Sequence, residues 1–351
     1  MENRISPTVF IKGITIILMF CNHLFPIPEW IFESNRVLSF AIGSKTIASY
    51  IGGFGKICVA VFAYLTGIGL YFVFQRKTYE ETVISRIKYS VKKCVDILIT
   101  YEGILLLFYI PLATFFGVND YTGKELLDNI FLIDTSIIRV AWYVRFYIEL
   151  MITIPILYAL LKSRESQKDI VTFIVIVLLH YFMYVMRFKY FEEYFNYLMV
   201  VITGYLFEKY NVNNKLKSAF SKRLMVNIGV LGIMVILRGL LKSVHFINTD
   251  IFFVPIYVAI VSDFYYRTGK NLKKVILLLG QYSMELWFLH AIFFIGSEKL
   301  QKIGYWPKID ILILIWTLLL LFPLAVLYKK LFDCLKQFAK KTIIYNCTVT
   351  K

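Results

Sequence analysis

The chain has 351 residues, of which 59% are hydrophobic and only 18% charged, and its mean hydropathy is +0.67. That composition excludes an ordinary soluble domain and identifies an integral membrane protein. The net charge of +16 falls in bursts between apolar runs, so it argues for the lipid bilayer as partner and not for nucleic acid.

Ten apolar segments read as membrane helices, near 8–26, 50–74, 94–116, 140–161, 169–187, 193–208, 224–242, 250–266, 274–296 and 309–332. They leave no stretch long enough for a soluble domain. The expected fold is an all-α integral membrane protein, a bundle of about ten transmembrane helices in which residues 1–351 form one polytopic domain.

The first segment lacks a small-residue cleavage site and is expected to stay as the first span. It carries two ionisable side chains, Lys12 and His23, which are costly in a span unless they face a protein-lined or watered interior. Eleven residues are about three helical turns, so Lys12, Ile16, Met19 and His23 form one stripe, with the two ionisable groups about 16 Å apart along the axis. In the alternative reading Lys12 snorkels to the cytoplasmic headgroups and His23 marks the opposite interface.

Pro26 and Pro28 end this segment, and a short external loop is expected up to about Tyr50. Gly52, Gly53, Gly55, Gly67 and Gly69 punctuate the second span, where small residues allow helix backbones to approach closely. A basic connection follows, with Arg76, Lys77, Arg86, Lys88, Lys92 and Lys93. Basic residues return after the fourth, sixth and eighth spans, at Lys162 to Lys168, Lys209 to Arg223 and Arg267 to Lys274, and again in the tail from Lys329. By the positive-inside rule both termini are cytoplasmic, Lys12 lies towards the cytoplasm, and His23 and Ser34 lie towards the outside. Tryptophans and tyrosines near span ends, among them Trp30, Trp142, Tyr143, Tyr190 and Trp306, read as interfacial anchors.

Further along, Arg145 and Glu149 are i and i+4 neighbours in the fourth span, which suggests mutual neutralisation. His180 stands alone in the fifth span and reads as a hydrogen-bonded packing histidine. In the ninth, Ser283, Trp287 and His290 share one face beside Glu285 and suggest a cavity wall. The five cysteines form no C-x-x-C pair and there is no histidine cluster at zinc spacing, so no metal is expected. No phosphate loop for ATP occurs.

Four separated segments together resemble a known family. They are the basic residue and histidine with ten residues between them at Lys12 and His23, the stretch Lys56 to Ile68, Trp142-Tyr143-Val144 with Pro155, and Leu279-Gly280-Gln281-Tyr282-Ser283-Met284-Glu285-Leu286-Trp287-Phe288-Leu289-His290. In that order they are similar to the membrane acyltransferase-3 group, integral O-acyltransferases that modify bacterial surface glycans. Two departures stand out. The family's R-x-x-R pair is replaced by Arg86, Lys88, Lys92 and Lys93, and Tyr147 stands where many members carry a glutamate.

The resemblance implies a multi-pass protein of the bacterial plasma membrane that moves an acyl group, most often acetyl, from acetyl-CoA or another acyl-CoA to a sugar hydroxyl of a surface glycan or its lipid-linked precursor. No permanently bound cofactor is implied. His23 is the expected general base, since imidazole suits proton abstraction near neutral pH, with an acyl-histidine intermediate as the other route. Lys12, with Arg86, Lys88, Lys92 and Lys93, would bind the anionic donor. Asn22, Trp142, Arg145, Ser283 and His290 would line the cavity or meet the acceptor. A transporter or flippase of glycan-lipid intermediates would also explain buried ionisable residues in ten spans, but not the four segments. A glycan polymerase would be expected to carry a large external loop.

Overall fold

The structure, a computed structural model, describes residues 2–25, 41–42, 45–76, 79, 82–117, 121–163, 165–241, 244–245, 247–294 and 297–349. Most of the expected external loop, with Pro26, Pro28, Trp30 and Ser34, lies outside the described residues, as do Lys77 and Arg164.

Helix α1, Glu2–Leu24, is followed by a minimal antiparallel hairpin of β1, Ala41–Ile42, and β2, Lys45–Thr46. The second expected span is two helices, α2, Ile47–Gly55, and α3, Ile57–Phe74. α4, Val83–Ile104, runs through a π-turn at Leu105–Tyr109 into α5, Ile110–Phe115, so Arg86, Lys88, Lys92 and Lys93 sit on a helix and not in a loop. The short α6, Gly123–Ile130, precedes α7, Trp142–Leu161, then α8, Ser166–Val185, and α9, Lys189–Lys209. α10, Val212–Phe220, turns sharply into α11, Leu224–Leu240. α12 is Asp250–Arg267 and α13 is Lys270–Gln281. α14, Ser283–Leu289, ends in a 3₁₀ turn at His290–Phe294, before α15, Glu298–Gly304, and the long α16, Asp310–Val349.

Among the described residues six stretches are long and apolar enough to cross a membrane, or up to eight if the bent pairs α10–α11 and α13–α14 each count as one span. The ten expected spans also include α9 and α12, which fall short. Their interior position accounts for this. Residues 198–205 of α9 and most of α12 are buried against other helices, so they need no lipid-facing apolar surface and carry Glu192, Glu193, Glu208, Asp250 and Asp263. Two ion pairs tie helices together: Arg238 forks onto both oxygens of Asp250 at 2.7 and 3.0 Å, and Lys209 meets Asp169 at 2.6 Å; within α12, Arg267 meets Asp263 at 2.6 Å.

Two crossings hold the bundle together, α1 on α13 and α3 on α9. Each depends on a pair of glycines. A Cβ on Gly13 would overlap the Ile276 carbonyl and one on Gly280 that of Val9, while Gly67 lies against Val201 and Gly204 against Tyr64. The small-residue reading of the second span therefore holds at Gly55 and Gly67, whereas Gly53 and Gly69 face open space. Because carbonyls cannot retreat as a flexible side chain would, Gly280→Leu should push α13 off α1 and cost about 1–3 kcal/mol or more. Gly69→Leu should cost little. Thermal melting of the two variants in detergent checks the contrast; equal melting temperatures would contradict it.

Candidate functional site

The ninth expected span is broken. The chain bends by 67° between α13 and α14, at Tyr282, which directs α14 into the bundle beside α1. A broken helix leaves carbonyls without partners, a severe cost away from water. At the bend the Gln281 carbonyl accepts from Lys329 Nζ at 2.8 Å; at the far end of α14, where the 3₁₀ turn begins, the Tyr109 hydroxyl donates to the Phe288 carbonyl at 2.5 Å and His290 Nδ1 lies 2.5 Å from the Trp287 carbonyl.

Between α1, α3, α4, α7 and α14 lies a cavity of about 410 Å³, a size suited to part of a cofactor-sized ligand. Lys12, Thr66, Lys93, Asp96, Thr100, Tyr147 and Ser283 give its wall polar character. Phe62, Tyr143 and Trp287 form an aromatic cluster on the same wall, with ring centroids 5.1 Å apart from Trp287 to each neighbour. The charged groups acting on Lys12 are Lys93 and Lys329, both cations. Such a cluster favours an anion. Lys329 is itself held by the Gln281 carbonyl at 2.8 Å and by Glu285 at 3.7 Å.

Lys12 and His23 share helix α1 but not one open space. Ile16 and Met19 between them are fully buried, and His23 does not line the cavity. Instead its ring stands 4.8 Å, centroid to centroid, from that of His290, which is 2% exposed and lies behind the Trp287 segment of the wall. So Ser283 and Trp287 reach the cavity, and His290 turns to His23. The expected common face breaks down because the 3₁₀ turn begins at His290.

The remaining expected site residues are spread out. Lys93 lines the cavity, whereas Arg86 lies on the Tyr158 ring at 4.1 Å with its Nε donating to the Tyr79 carbonyl, and Lys88 and Lys92 are exposed. Asn22 packs its Cβ beside Gly55, and Trp142 lies against Tyr197 with centroids 5.4 Å apart. Arg145 points away from the cavity and covers the Tyr190 ring at 4.6 Å. It forms no ion pair with Glu149 within 4 Å among the described residues; Asp134 and Glu193 also feel its charge. Asp134, in the loop before α7, is held below the usual carboxylate range chiefly by the Ser136 hydroxyl. His180 sits between the Glu192 and His245 carbonyls at 3.3 and 3.0 Å, the packing histidine its surroundings suggested.

Sequence reading passed over Thr66, Asp96 and Thr100 as cavity residues. A signal existed in the spacing: Phe62 with Thr66, Lys93 with Asp96 and Thr100, and Tyr143 with Tyr147 each share a helix face. Tyr147, the departure from the common glutamate, is part of this wall. Among the described residues no group of three histidines, cysteines or carboxylates is placed to hold a metal, and Cys21, Cys58, Cys94 and Cys334 are free thiols.

Comparison with known proteins adds one finding. No curated protein and no solved structure matches the chain significantly. The family model of an acyltransferase domain, acyltransferase-3, matches residues 10–328, from the first turns of α1 to the middle of α16, and so includes every helix that builds the cavity. With its apolar helices and this match over nearly the whole length, the chain belongs to the acyltransferase-3 family and is a multi-pass membrane acyltransferase.

Proposed function

We propose that the chain is an O-acyltransferase of the bacterial plasma membrane that transfers an acyl group, acetyl in the first instance, from cytoplasmic acyl-CoA to a sugar hydroxyl of a surface glycan or its lipid-linked precursor. The observation that carries the reading is a cavity lined by two lysines, Lys12 and Lys93, against one carboxylate, Asp96, with Lys12 on the same helix as His23 and about three turns from it. With both termini in the cytoplasm, as the run of basic segments suggests, Lys12 lies on the donor side and His23 on the acceptor side.

In this reading the pyrophosphate or pantetheine arm of the donor meets Lys12 and Lys93, and its thioester reaches His23 past Ile16 and Met19, which close the way between the two in this structure and have to part when the donor binds. The acceptor hydroxyl gives its proton to a bare His23 nitrogen as its oxygen attacks the thioester carbonyl. The tetrahedral intermediate collapses with cleavage of the C–S bond. The departing sulfur takes the proton back from the imidazolium, so the products are an O-acyl ester and the free thiol of CoA. An extended pantetheine arm is of the order of the distance between Lys12 and His23, so no separate acyl carrier is needed.

Sealed vesicles of both orientations, prepared from cells that make the native glycan and given radiolabelled acetyl-CoA, test the reading. Inverted vesicles should label luminal glycan and right-side-out vesicles should not. Equal labelling would overturn transfer across the membrane, and no labelling in either would overturn the use of acetyl-CoA.

A further inference from the structure

We infer that His290 is a positioning residue for His23, acting through its Nε2 atom; the inference rests on the reading of His23 as general base. The Trp287 carbonyl only accepts hydrogen bonds, so the contact at 2.5 Å assigns the His290 proton to Nδ1. Nε2 is then a bare lone pair. It is fully buried and has no hydrogen-bond partner among the described residues.

Leaving a buried acceptor unpaired is costly, and native proteins seldom do so without a use for the atom. The His23 ring, 4.8 Å away between centroids and tilted by 50°, is the polar group beside it. Phe20, the other ring against His290 at 5.6 Å, offers no donor. A small rotation of His23 lets one of its ring nitrogens donate to His290 Nε2. That fixes the His23 tautomer: the proton sits on the nitrogen facing His290, and the other nitrogen is bare for the acceptor hydroxyl.

The chain of groups is then Trp287 carbonyl, His290, His23 and acceptor. When His23 becomes imidazolium, its N–H to His290 turns into a charge-assisted bond, anchored in turn by the Trp287 carbonyl. This has the logic of a base oriented by a third group, built here from a neutral imidazole in place of a carboxylate.

His290 also has a structural duty, to cap that carbonyl, and two substitutions separate it from the positioning role. His290→Asn keeps an amide donor near the Nδ1 position and removes the acceptor at Nε2. His290→Gln extends an amide oxygen to the Nε2 position and gives up the short-range donor. With radiolabelled acetyl-CoA and membranes carrying the native glycan, the Asn variant should lose ~10- to 100-fold in turnover at unchanged KM for acetyl-CoA and near-normal thermal stability, in line with the loss of an orienting partner. The Gln variant should melt lower but keep turnover within severalfold.

If capping were the only duty, the order would invert. Full turnover in the Asn variant, or turnover in the Gln variant as low as in Asn, would overturn the inference. Should the Asn variant not insert, His290→Phe, which loses both the cap and Nε2, is set against Gln, which loses the cap alone: turnover in Gln as low as in Phe would overturn the inference. His23→Ala measured alongside keeps the two readings apart: full activity there overturns the role of His23, whereas loss there with full activity in the Asn variant overturns only the role of His290.

Discussion

Replacing His23 by alanine should lower acyl transfer ~10²- to 10⁴-fold while leaving the protein in the membrane at near-normal yield, because general acid–base catalysis is typically worth that factor. The imidazole is only partly enclosed by the described residues, and its neighbours on the same helix, Phe20 and Leu24, supply the packing. Loss of a half-buried side chain at a helix end costs less than loss of a core residue. The C-terminal turn of α1 is separately secured, since the Tyr305 hydroxyl donates to the Leu24 carbonyl at 2.8 Å. A merely interfacial His23 predicts a different result: small, equal effects on yield and activity. Incorporation of radiolabelled acetyl into glycan, normalised to protein recovered in the membrane, decides between them. Retention of near-full acylation would remove His23 from the mechanism.

The fold was largely legible because a membrane forces every spanning segment to declare itself in apolar length. The interior helices α9 and α12 were legible as helices through their buried stretches from Leu198 to Tyr205 and from Ile251 to Ser262, although they are not long and apolar enough to count among the six to eight candidate spans. What could not be read was where the chain departs from straight helices. The π-turn at Leu105–Tyr109 is followed by Pro111 and the bend at Tyr282 is preceded by Gly280, residues that straight membrane helices also carry, so neither announces a break; the Tyr109 hydroxyl on the Phe288 carbonyl ties the two segments together. The change to a 3₁₀ turn at His290 is equally unannounced, and it split the common face of Ser283, Trp287 and His290 between two destinations. Arg145 lies on the Tyr190 ring while Tyr143 and Tyr147 take the cavity wall, as the helical period of α7 requires, since residue 145 faces away from 143 and 147. Ion pairs such as Arg238 with Asp250 join helices in space, and one sequence holds no sign of that pairing.

Lys12 carries the second large expected effect, and here function and stability should move in opposite directions. Its ammonium faces a cavity it shares with Lys93, with Lys329 the other cation acting on it. Like charges brought together in a poorly hydrated interior destabilise the fold, so a lysine with only a structural task would be better replaced by a neutral chain of the same length. An anionic ligand reverses the balance, because each cation then gains a charge-assisted contact worth about 1.5–3 kcal/mol. Lys12→Met should therefore melt no lower than the native protein, and higher if the repulsion is strong, while its KM for acetyl-CoA rises ~10- to 100-fold. Lys12→Arg keeps the charge and should keep much of the activity. Added CoA should raise the melting temperature of the native protein more than that of Lys12→Met, because ligand that binds only the folded state stabilises it in proportion to affinity. A snorkelling Lys12 predicts no change in KM and the same response to CoA in both proteins. That outcome would move the donor site away from α1 and leave the cavity without its anion.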